Sequence, residues 1–169
     1  VMEIYKYCST CGEENQFGRI DGNERFHCVK CSSIHYQNPK PTATLICAKG
    51  NSILLGKRAF NPAKGEWGLP GGFMELNETL DQAALRELRE ETQLTGTVSQ
   101  ILGTCSHFGS IFGDVLLIGL EVKITDWSTM CAGDDVAELQ LFDINELPDL
   151  AFHCHKKIIS YYLDLNHNR

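Results

Sequence analysis

The chain of 169 residues is 43% hydrophobic and 22% charged, which is typical of one globular domain with room for a small additional module. A formal net charge of −7 argues against a protein that binds nucleic acid by neutralising its phosphates, although bound divalent cations would still attract phosphate groups. The longest aliphatic run, residues 115–118, is too short to cross a bilayer, and residues 1–6 lack the apolar stretch of a secretory signal. We therefore expect a cytoplasmic protein with neither a membrane partner nor a nucleic-acid partner.

Two pairs of closely spaced cysteines lie near the start of the chain. These C-x-x-C pairs consist of Cys8, Cys11, Cys28 and Cys31. Each pair can present two thiolates to one tetrahedral ion, and Asp21-Gly22 suits the turn of a hairpin between the pairs. The spacing predicts a structural zinc site, with iron as an alternative ion, in a small zinc ribbon over residues 1–37. A disulfide framework or a redox function is the alternative, but such frameworks normally accompany secretion.

The remaining cysteines have no partner at a comparable spacing, and we expect their thiols to be small buried apolar groups. They are Cys47, Cys105, Cys131 and Cys154. His27 and His35 lie close to the paired cysteines, but four thiolates already complete a structural site. We therefore expect both histidines to be packing or surface residues.

Residues 38–169 form a second predicted domain, in which strands and helices are mixed. Its first residues, 38–41, should be an extended connector, because each proline disfavours helix for the residue before it. Strands are expected at residues 42–48, 52–58, 97–108, 115–124 and 138–142, with a short bent strand at 67–73. Helices are expected at residues 79–94, where Thr79 and Gln82 fit a capping box, and at 152–165, with a helical turn at 143–147. This order indicates an α/β fold rather than a regular βαβ repeat.

A group of carboxylates on the first predicted helix is the most informative feature. Glu87, Glu90 and Glu91 occupy positions i, i+3 and i+4, so their side chains share one side of the helix. Hard divalent cations such as Mg²⁺ or Mn²⁺ prefer oxygen ligands and would relieve the repulsion between these charges. The preceding Gly71-Gly72 lets the backbone pass close to such a site. On composition alone, a solvated helix face rich in Glu and Arg is the more frequent explanation.

The fuller spacing of residues 72–94 resembles the Nudix box, and the preceding GEWGLPGG is also similar to Nudix sequences. The fixed positions of the box are matched by Gly72, Glu78, Arg86, Glu87, Leu88, Glu90, Glu91 and Leu94. The one departure is Gln93, where the family has a glycine that would ease the chain out of the helix. We expect Gly96 to make that turn slightly later. The resemblance covers residues 42–163.

The resemblance implies an α/β/α sandwich around a mixed sheet, with the box forming a loop–helix–loop. It also implies Mg²⁺- or Mn²⁺-dependent hydrolysis of a nucleoside diphosphate linked to another group. By the same resemblance, Glu87 and Glu91 are the main metal ligands, and Glu90 is a further ligand. The Gly71 carbonyl is an additional backbone candidate. Arg86 and Glu78 would form an ion pair that orients the helix.

The general base is not the same residue throughout this family. Bridging cations can spread the charge of the diphosphate and lower the pKa of an attacking water, whose proton then passes to a carboxylate. Besides the box glutamates, the candidates are Asp134, Asp135 and Glu138. An exposed acidic turn before a strand explains each of these three equally well.

The ribbon narrows the resemblance to zinc-ribbon Nudix proteins, which include NADH pyrophosphatases and FAD or ADP-ribose pyrophosphatases. The NADH group carries an SQPWPFP-type motif after the box, and residues 103–113, GTCSHFGSIFG, lack it. Residues 34–41 and 141–152 look more like the FAD and ADP-ribose type. We therefore expect a small dinucleotide or nucleotide-sugar substrate and release of AMP.

Two alternatives stay open: an NADH pyrophosphatase, and a nucleotide-binding regulator without turnover. The three intact glutamates favour an enzyme, and the ribbon has no net basic patch that would favour nucleic acid. The resemblance also implies a homodimer. Residues 109–113 could form a mobile wall of the cleft. Trp67, Phe108 and Phe112 could stack on a base, although core packing is the better default for each.

Overall fold

The computed structural model describes residues 5–167, which divide into two compact units. One unit ends at Pro39 and the other begins at Lys40. The predicted boundary between residues 37 and 38 stays a prediction. Among the described residues, no helix has the length and apolar character needed to cross a bilayer.

The first unit contains a three-stranded antiparallel sheet. Its strands, in spatial order, are β1 (Gln16–Ile20), β2 (Asn23–His27) and β3 (Ile34–His35). The predicted hairpin turn is present, because Asp21 and Gly22 have φ angles of 50° and 83°, in the left-handed region that a tight hairpin requires. Each cysteine pair begins a similar turn: the Cys8 carbonyl accepts from the Gly12 amide at 2.8 Å, and the Cys28 carbonyl accepts from the Ser32 amide at 2.9 Å.

The second unit is built on a mixed sheet of seven strands. They are β4 (Lys40–Lys49), β5 (Ser52–Arg58), β6 (Trp67–Gly68), β7 (Gly71–Phe73), β8 (Gly96–Ser110), β9 (Gly113–Ile124) and β10 (Val136–Asp143). The main order is β10-β5-β4-β9-β8, with β6 beside β5 and β7 beside β4. The pairing of β4 with β9 is parallel, whereas its pairings with β5 and β7 are antiparallel.

Two helices, α1 (Leu80–Thr92) and α2 (His153–His167), cover opposite faces of this sheet. Successive side chains of a strand point to opposite faces, and β4 shows the result. Leu45 packs in one buried cluster with Leu88 of α1, whereas Ile46 packs in another with Ile158 of α2. The predicted α/β/α sandwich with a mixed sheet is therefore confirmed.

Several element boundaries differ from the prediction. The residues expected to form a connector, Lys40 and Pro41, are the first two residues of β4, where a proline is best tolerated in a strand. The bent strand is divided into β6 and β7 by Leu69-Pro70. Instead of a helical turn, residues 143–146 form a tight turn, in which the Asp143 carbonyl accepts from the Glu146 amide at 3.0 Å.

The start of α1 is as predicted, but its end is not. Thr79 and Gln82 form the reciprocal capping box. The helix ends at Thr92, and Gln93 itself takes the left-handed conformation, with φ of 59°. The expectation that Gly96 makes this turn was wrong. A Cβ on Gly96 would lie 2.6 Å from the Lys123 carbonyl oxygen, so that glycine serves close packing between β8 and β9.

Candidate active site and zinc centre

The four cysteines of the first unit bring their sulfur atoms together. All four lie within 4.8 Å of one another, with Cys8 and Cys31 3.6 Å apart and Cys11 and Cys28 3.5 Å apart. Cys8 and Cys28 are buried, and the other two are exposed. Four sulfur atoms at these separations fit the ligand shell of a tetrahedral structural zinc ion.

The helix α1 holds the carboxylates of the second unit around Arg86. The Nη1 atom of Arg86 lies 2.6 Å from Glu87 Oε1 and 3.1 Å from Glu90 Oε2. Its Nη2 atom donates to Glu78 Oε1 at 2.7 Å and to the Phe73 carbonyl at 3.0 Å. The predicted contact between Arg86 and Glu78 is thus present, and Arg86 also joins α1 to β7.

Glu91 is the most deeply placed acid in this group, with a side chain that accepts a hydrogen bond from the Gly71 amide at 2.8 Å. Burial is the main reason that its pKa is raised to about 9; the Gly71 amide opposes this shift, while the charges of Asp135 and Glu87 add to it. The pKa of Glu87 is also raised, chiefly by burial. Two carboxylates that are buried side by side provide the oxygen donors that a divalent cation prefers.

The two glycines of β7 make this arrangement possible. At Gly71, φ is +135° and a Cβ would collide with the Ala43 carbonyl oxygen. At Gly72, a Cβ would lie 2.5–2.7 Å from the carboxylate atoms of Glu87. The backbone therefore approaches the acids as the sequence suggested. The contact that the structure gives is made by the Gly71 amide, and coordination by the Gly71 carbonyl stays a prediction.

Three later acids were considered as a general base, and of these Asp135 lies near the carboxylates of Glu87 and Glu91. Asp135 is half-buried, and its charge raises the pKa values of both Glu87 and Glu91. Asp134 is exposed. Glu138 is also exposed and pairs with Lys57 at 3.3 Å.

A cleft of about 390 Å³ opens beside these acids. Glu91 and Asp135 stand at one part of its wall, with Gly71 and Gly72. The rest of the wall is largely aromatic and apolar, and it includes Phe73, His107, Phe112, Val115, Leu117, Phe152 and Cys154. A charged centre beside an apolar recess can hold a metal-bound phosphate group and an aromatic base at the same time.

Only one of the three aromatic residues proposed for stacking lines this cleft. Phe112 does so and packs edge-on against Phe73, with ring centroids 5.3 Å apart. Trp67 packs against Phe142 at 4.8 Å, and Phe108 is 74% exposed outside the cleft. The hairpin end at residues 109–113 is held by Ser110, which donates to the Gly113 carbonyl at 2.6 Å, and its mobility stays a prediction.

His155 is a residue of this site that sequence reasoning missed. Its Nδ1 atom accepts a hydrogen bond from the Leu69 amide at 3.0 Å, inside the link between β6 and β7 that leads to Gly71. Burial lowers its pKa to about 4, and the charges of Arg58 and His107 act in the same direction. The neutral imidazole is therefore available as an acceptor. No spacing in the sequence relates this histidine to residues 67–73.

The expectation for the isolated cysteines was correct in part. Cys47 and Cys154 are buried, Cys105 is half-buried and Cys131 is exposed. Although these cysteines lack partners at motif spacing, the fold brings one pair together: the Sγ atoms of Cys105 and Cys154 lie 2.8 Å apart. These cysteines lie on different elements, so their spacing in the sequence carried no signal.

Comparisons with known proteins cover both units. The family model described as NUDIX domain matches residues 38–162, and that described as Nudix N-terminal, a zinc ribbon, matches residues 6–37. An ADP-ribose pyrophosphatase of Methanocaldococcus jannaschii is 43% identical over 136 residues, which are 76% of this chain and 75% of that protein. The NAD-capped RNA hydrolase NudC of Pseudomonas fluorescens is 24% identical over 95% of this chain, which spans 55% of that relative. The crystal structure of a NUDIX hydrolase from Nitrosomonas europaea matches with a TM-score of 0.83 and 34% identity, covering 96% of this chain and 93% of that one.

Proposed function

This chain belongs to the Nudix hydrolase family, and from that membership we propose that it cleaves the diphosphate of ADP-ribose or a similar nucleoside diphosphate derivative. The observation that carries this proposal is the buried pair Glu87 and Glu91, set with Asp135 beside an aromatic cleft. Identity of 43% to an ADP-ribose pyrophosphatase supports the choice of substrate class. FAD and other dinucleotides or nucleotide-sugars share the same central diphosphate.

The proposed catalytic metal is Mg²⁺ or Mn²⁺, held by Glu87, Glu90, Glu91 and the Gly71 carbonyl. When bound, such a cation neutralises diphosphate oxygens and lowers the pKa of a nearby water. Arg86 keeps Glu87 and Glu90 in place through its Nη1 atom. In this proposal the zinc of the ribbon is structural, because four thiolates leave no open position for water or substrate.

Asp135 is the acid that we assign to accept the proton of the attacking water. It lies close enough to Glu91 for the two side chains to interact directly, and it lines the cleft. A carboxylate in this position can accept the proton of the attacking water. Hydrolysis of ADP-ribose would then leave one phosphate on each product, AMP and ribose 5-phosphate.

The aromatic part of the cleft is the proposed site for the adenine base. Phe112 and Phe73 offer ring faces and edges on one side, and Phe152 lies elsewhere in the same wall. Stacking of this kind favours a planar base without fixing its identity through hydrogen bonds. A homodimer, as the family resemblance implies, and a cytoplasmic location, as expected from the sequence, complete the proposal.

A second candidate substrate is an NAD-type dinucleotide, free or as an RNA cap. It is favoured by the match of 95% of this chain to an NAD-capped RNA hydrolase, which includes the ribbon. The net charge of −7 and the missing SQPWPFP-type motif are arguments against it. A regulator without turnover is disfavoured because binding alone does not require all three glutamates.

One substrate panel tests this proposal. The purified full chain is assayed with ADP-ribose, FAD, NADH, NAD-capped RNA and nucleoside triphosphates, with and without Mg²⁺, and products are separated by chromatography. We expect Mg²⁺-dependent release of AMP, fastest from ADP-ribose or FAD. A kcat/KM for a nucleoside triphosphate about tenfold above that of every dinucleotide and nucleotide-sugar would contradict the proposed substrate class. Tight binding of ADP-ribose without turnover would favour the regulator.

A further inference from the structure

We propose that Cys105 and Cys154 are an oxidation site, at which a hydroperoxide converts two free thiols into a reversible disulfide bond. Cys105 lies on β8 and Cys154 lies at the start of α2, and their sulfur atoms are 2.8 Å apart. The pair belongs to the second unit and is separate from the cysteines of the ribbon. The proposal stands whichever substrate the cleft takes.

The packing of α2 against β8 keeps these two thiols in register. Farther along α2, the Tyr161 hydroxyl donates to the Thr104 carbonyl at 3.2 Å, next to Cys105 in the chain. The Tyr161 ring also covers Gly103, where a Cβ would lie 2.7 Å from two ring atoms. These contacts of Tyr161 tie the helix to the strand next to Cys105. The thiols therefore meet without a large movement of either element.

The short distance favours a disulfide over a metal site. His153 adds a third donor, with its Nε2 atom 3.4 Å from the Cys154 sulfur. Two thiolates on one tetrahedral zinc ion lie about 3.8 Å apart, given Zn–S bonds of about 2.3 Å. The cysteines of the ribbon approach that spacing, at 3.5 and 3.6 Å, whereas Cys105 and Cys154 are much closer. A shift of under about 1 Å brings the second pair to bonding distance.

The two cysteines differ in exposure, and this difference suggests their order of reaction. Cys105 is half-buried and meets the oxidant, whereas Cys154 is fully buried. Burial, the largest cause, together with Cys105 raises the pKa of the Cys154 thiol to about 12, so Cys154 does not react first. Cys105 would attack the hydroperoxide, forming a sulfenic acid and releasing water or an alcohol.

The second step closes the bond. The Cys154 sulfur attacks the sulfenic sulfur of Cys105, the S–O bond breaks, and the hydroxyl leaves as water with the thiol proton. Overall, two thiols and one hydroperoxide give one disulfide, one water and one further water or alcohol. The two sulfurs are oxidised and the peroxide oxygens are reduced. A thiol reductant reverses the change by exchange.

The disulfide would cross-link β8 to α2 at the wall of the cleft. Cys154 lines the cleft, and the next residue is His155, the acceptor of the Leu69 amide. A cross-link between distant residues constrains the unfolded chain and so stabilises the fold. For a chain of this size we expect the melting temperature, Tm, to rise by about 5 °C on oxidation.

Peptide mapping of the full, zinc-loaded chain tests the proposal. The reduced protein is treated with hydrogen peroxide, its remaining thiols are blocked with N-ethylmaleimide, and proteolytic peptides are identified by mass spectrometry. We expect a peptide pair linked through Cys105 and Cys154, which disappears when dithiothreitol is added before blocking. The Cys131→Ser variant, which removes an exposed cysteine elsewhere, should form the same link and show the same rise in Tm.

Two variants of the pair keep the test decisive. Cys105→Ser should abolish both the link and the rise in Tm, and Cys154→Ala should do the same if it folds. Cys105 at higher oxidation states beside an unlinked Cys154 would overturn the proposal. So would a second zinc per chain that is lost from Cys105→Ser, because the thiols would then be metal ligands. A linked peptide without any rise in Tm would overturn the proposed stabilisation of the fold by this cross-link.

Discussion

The zinc ribbon and the acidic cluster of α1 each bring together side chains of one kind that suit a metal ion, but they do so in different ways. In the ribbon, two similar C-x-x-C turns supply all four cysteines, and their sulfur atoms lie within 4.8 Å of one another. In the second unit, the acids come from α1 and from the residue before β10, and β7 supports them. Local turns are sufficient for the first cluster, whereas the second depends on the packing of distant elements.

The clusters also balance their charges differently. Four thiolates require a soft ion and need little else from the chain. The acids are partly neutralised by Arg86, which contacts Glu87, Glu90 and Glu78. Glu91 has no cation of its own among the described contacts, and its pKa is raised to about 9, chiefly by burial. The comparison indicates that Glu91 has the greatest need of a bound cation.

Removing that charge should have the largest effect. In Glu91→Gln the shape is kept but the negative charge is lost, so we expect kcat to fall by at least about 10²-fold with the fold intact. The measurement is AMP release from ADP-ribose at saturating Mg²⁺, with circular dichroism as the check on folding. Glu75→Gln, at an exposed position before α1, is the matched control and should retain normal turnover. Normal turnover by Glu91→Gln would remove this residue from the mechanism.

A substitution in the ribbon tests whether the cysteine cluster and the acidic cluster have separate roles. Cys8→Ser removes one of four thiolates, and we expect the single zinc ion to be lost and the first unit to loosen. Elemental analysis measures the zinc. Both tryptophans, Trp67 and Trp127, lie in the second unit, so their fluorescence reports unfolding of that unit alone. A chain of residues 42–169 that folds but binds no Mg²⁺ would show that the two roles are not separate.

Replacing His155 tests whether the acidic cluster depends on distant support. In His155→Ala the buried Leu69 amide loses its acceptor, so we expect a loss of about 2 kcal/mol in the free energy of unfolding. We also expect a lower kcat, because the link to Gly71 loosens. The measurements are urea unfolding followed by tryptophan fluorescence, and steady-state kinetics. His155→Asn, which can still accept the hydrogen bond, should recover part of both losses, and equal losses in the two variants would contradict this role.

The pH dependence of stability should reveal the raised pKa of the buried Glu91 carboxyl group. Its pKa is about 9 in the folded chain, against an ordinary value of 4.5, so between these values the folded state holds a proton that the unfolded chain releases. This contribution to stability is complete below about pH 4.5 and is lost as pH rises toward 9. In Mg²⁺-free buffer we expect Tm to fall by a few degrees over this range.

The same experiment has two internal controls. Glu91→Gln has no proton to lose at this position, so its Tm should change less between pH 5 and 9. Added Mg²⁺ should raise the Tm of the original protein most at the upper end of the range, because the ionised acids bind the cation. If Tm fell with pH equally steeply in the original protein and in Glu91→Gln, Glu91 would not titrate in this way.

The smallest effect is expected at the end of α1. Gln93 has φ of 59°, a conformation that glycine adopts more easily, so Gln93→Gly should increase the free energy of unfolding by about 0.5 kcal/mol without changing kcat. Urea unfolding measures the gain. Gly96→Ala is the opposing control and should destabilise the chain, because its Cβ would meet the Lys123 carbonyl oxygen. Stabilisation by Gly96→Ala would contradict the close packing of Gly96 against β9.

The features that the sequence predicted correctly are those set by neighbours in the chain. The hairpin turn at Asp21-Gly22, the capping box at Thr79 and the shared side of Glu87 and Glu91 all follow from spacings of a few residues. The end of α1 was misplaced because glycine preference pointed to Gly96, whereas the left-handed turn is made by Gln93. Preference within one turn is a small free energy that packing can override.

The sequence by itself determined that this chain has a zinc ribbon and a Nudix box, since both depend on fixed spacings along the backbone. Only the tertiary structure selected Asp135 from three similar acids, placed His155 against the Leu69 amide, and brought Cys105 to Cys154. These contacts join residues that are far apart in sequence. Their geometry follows from the order of strands in the sheet and from the packing of α2 on one face, which no local pattern records.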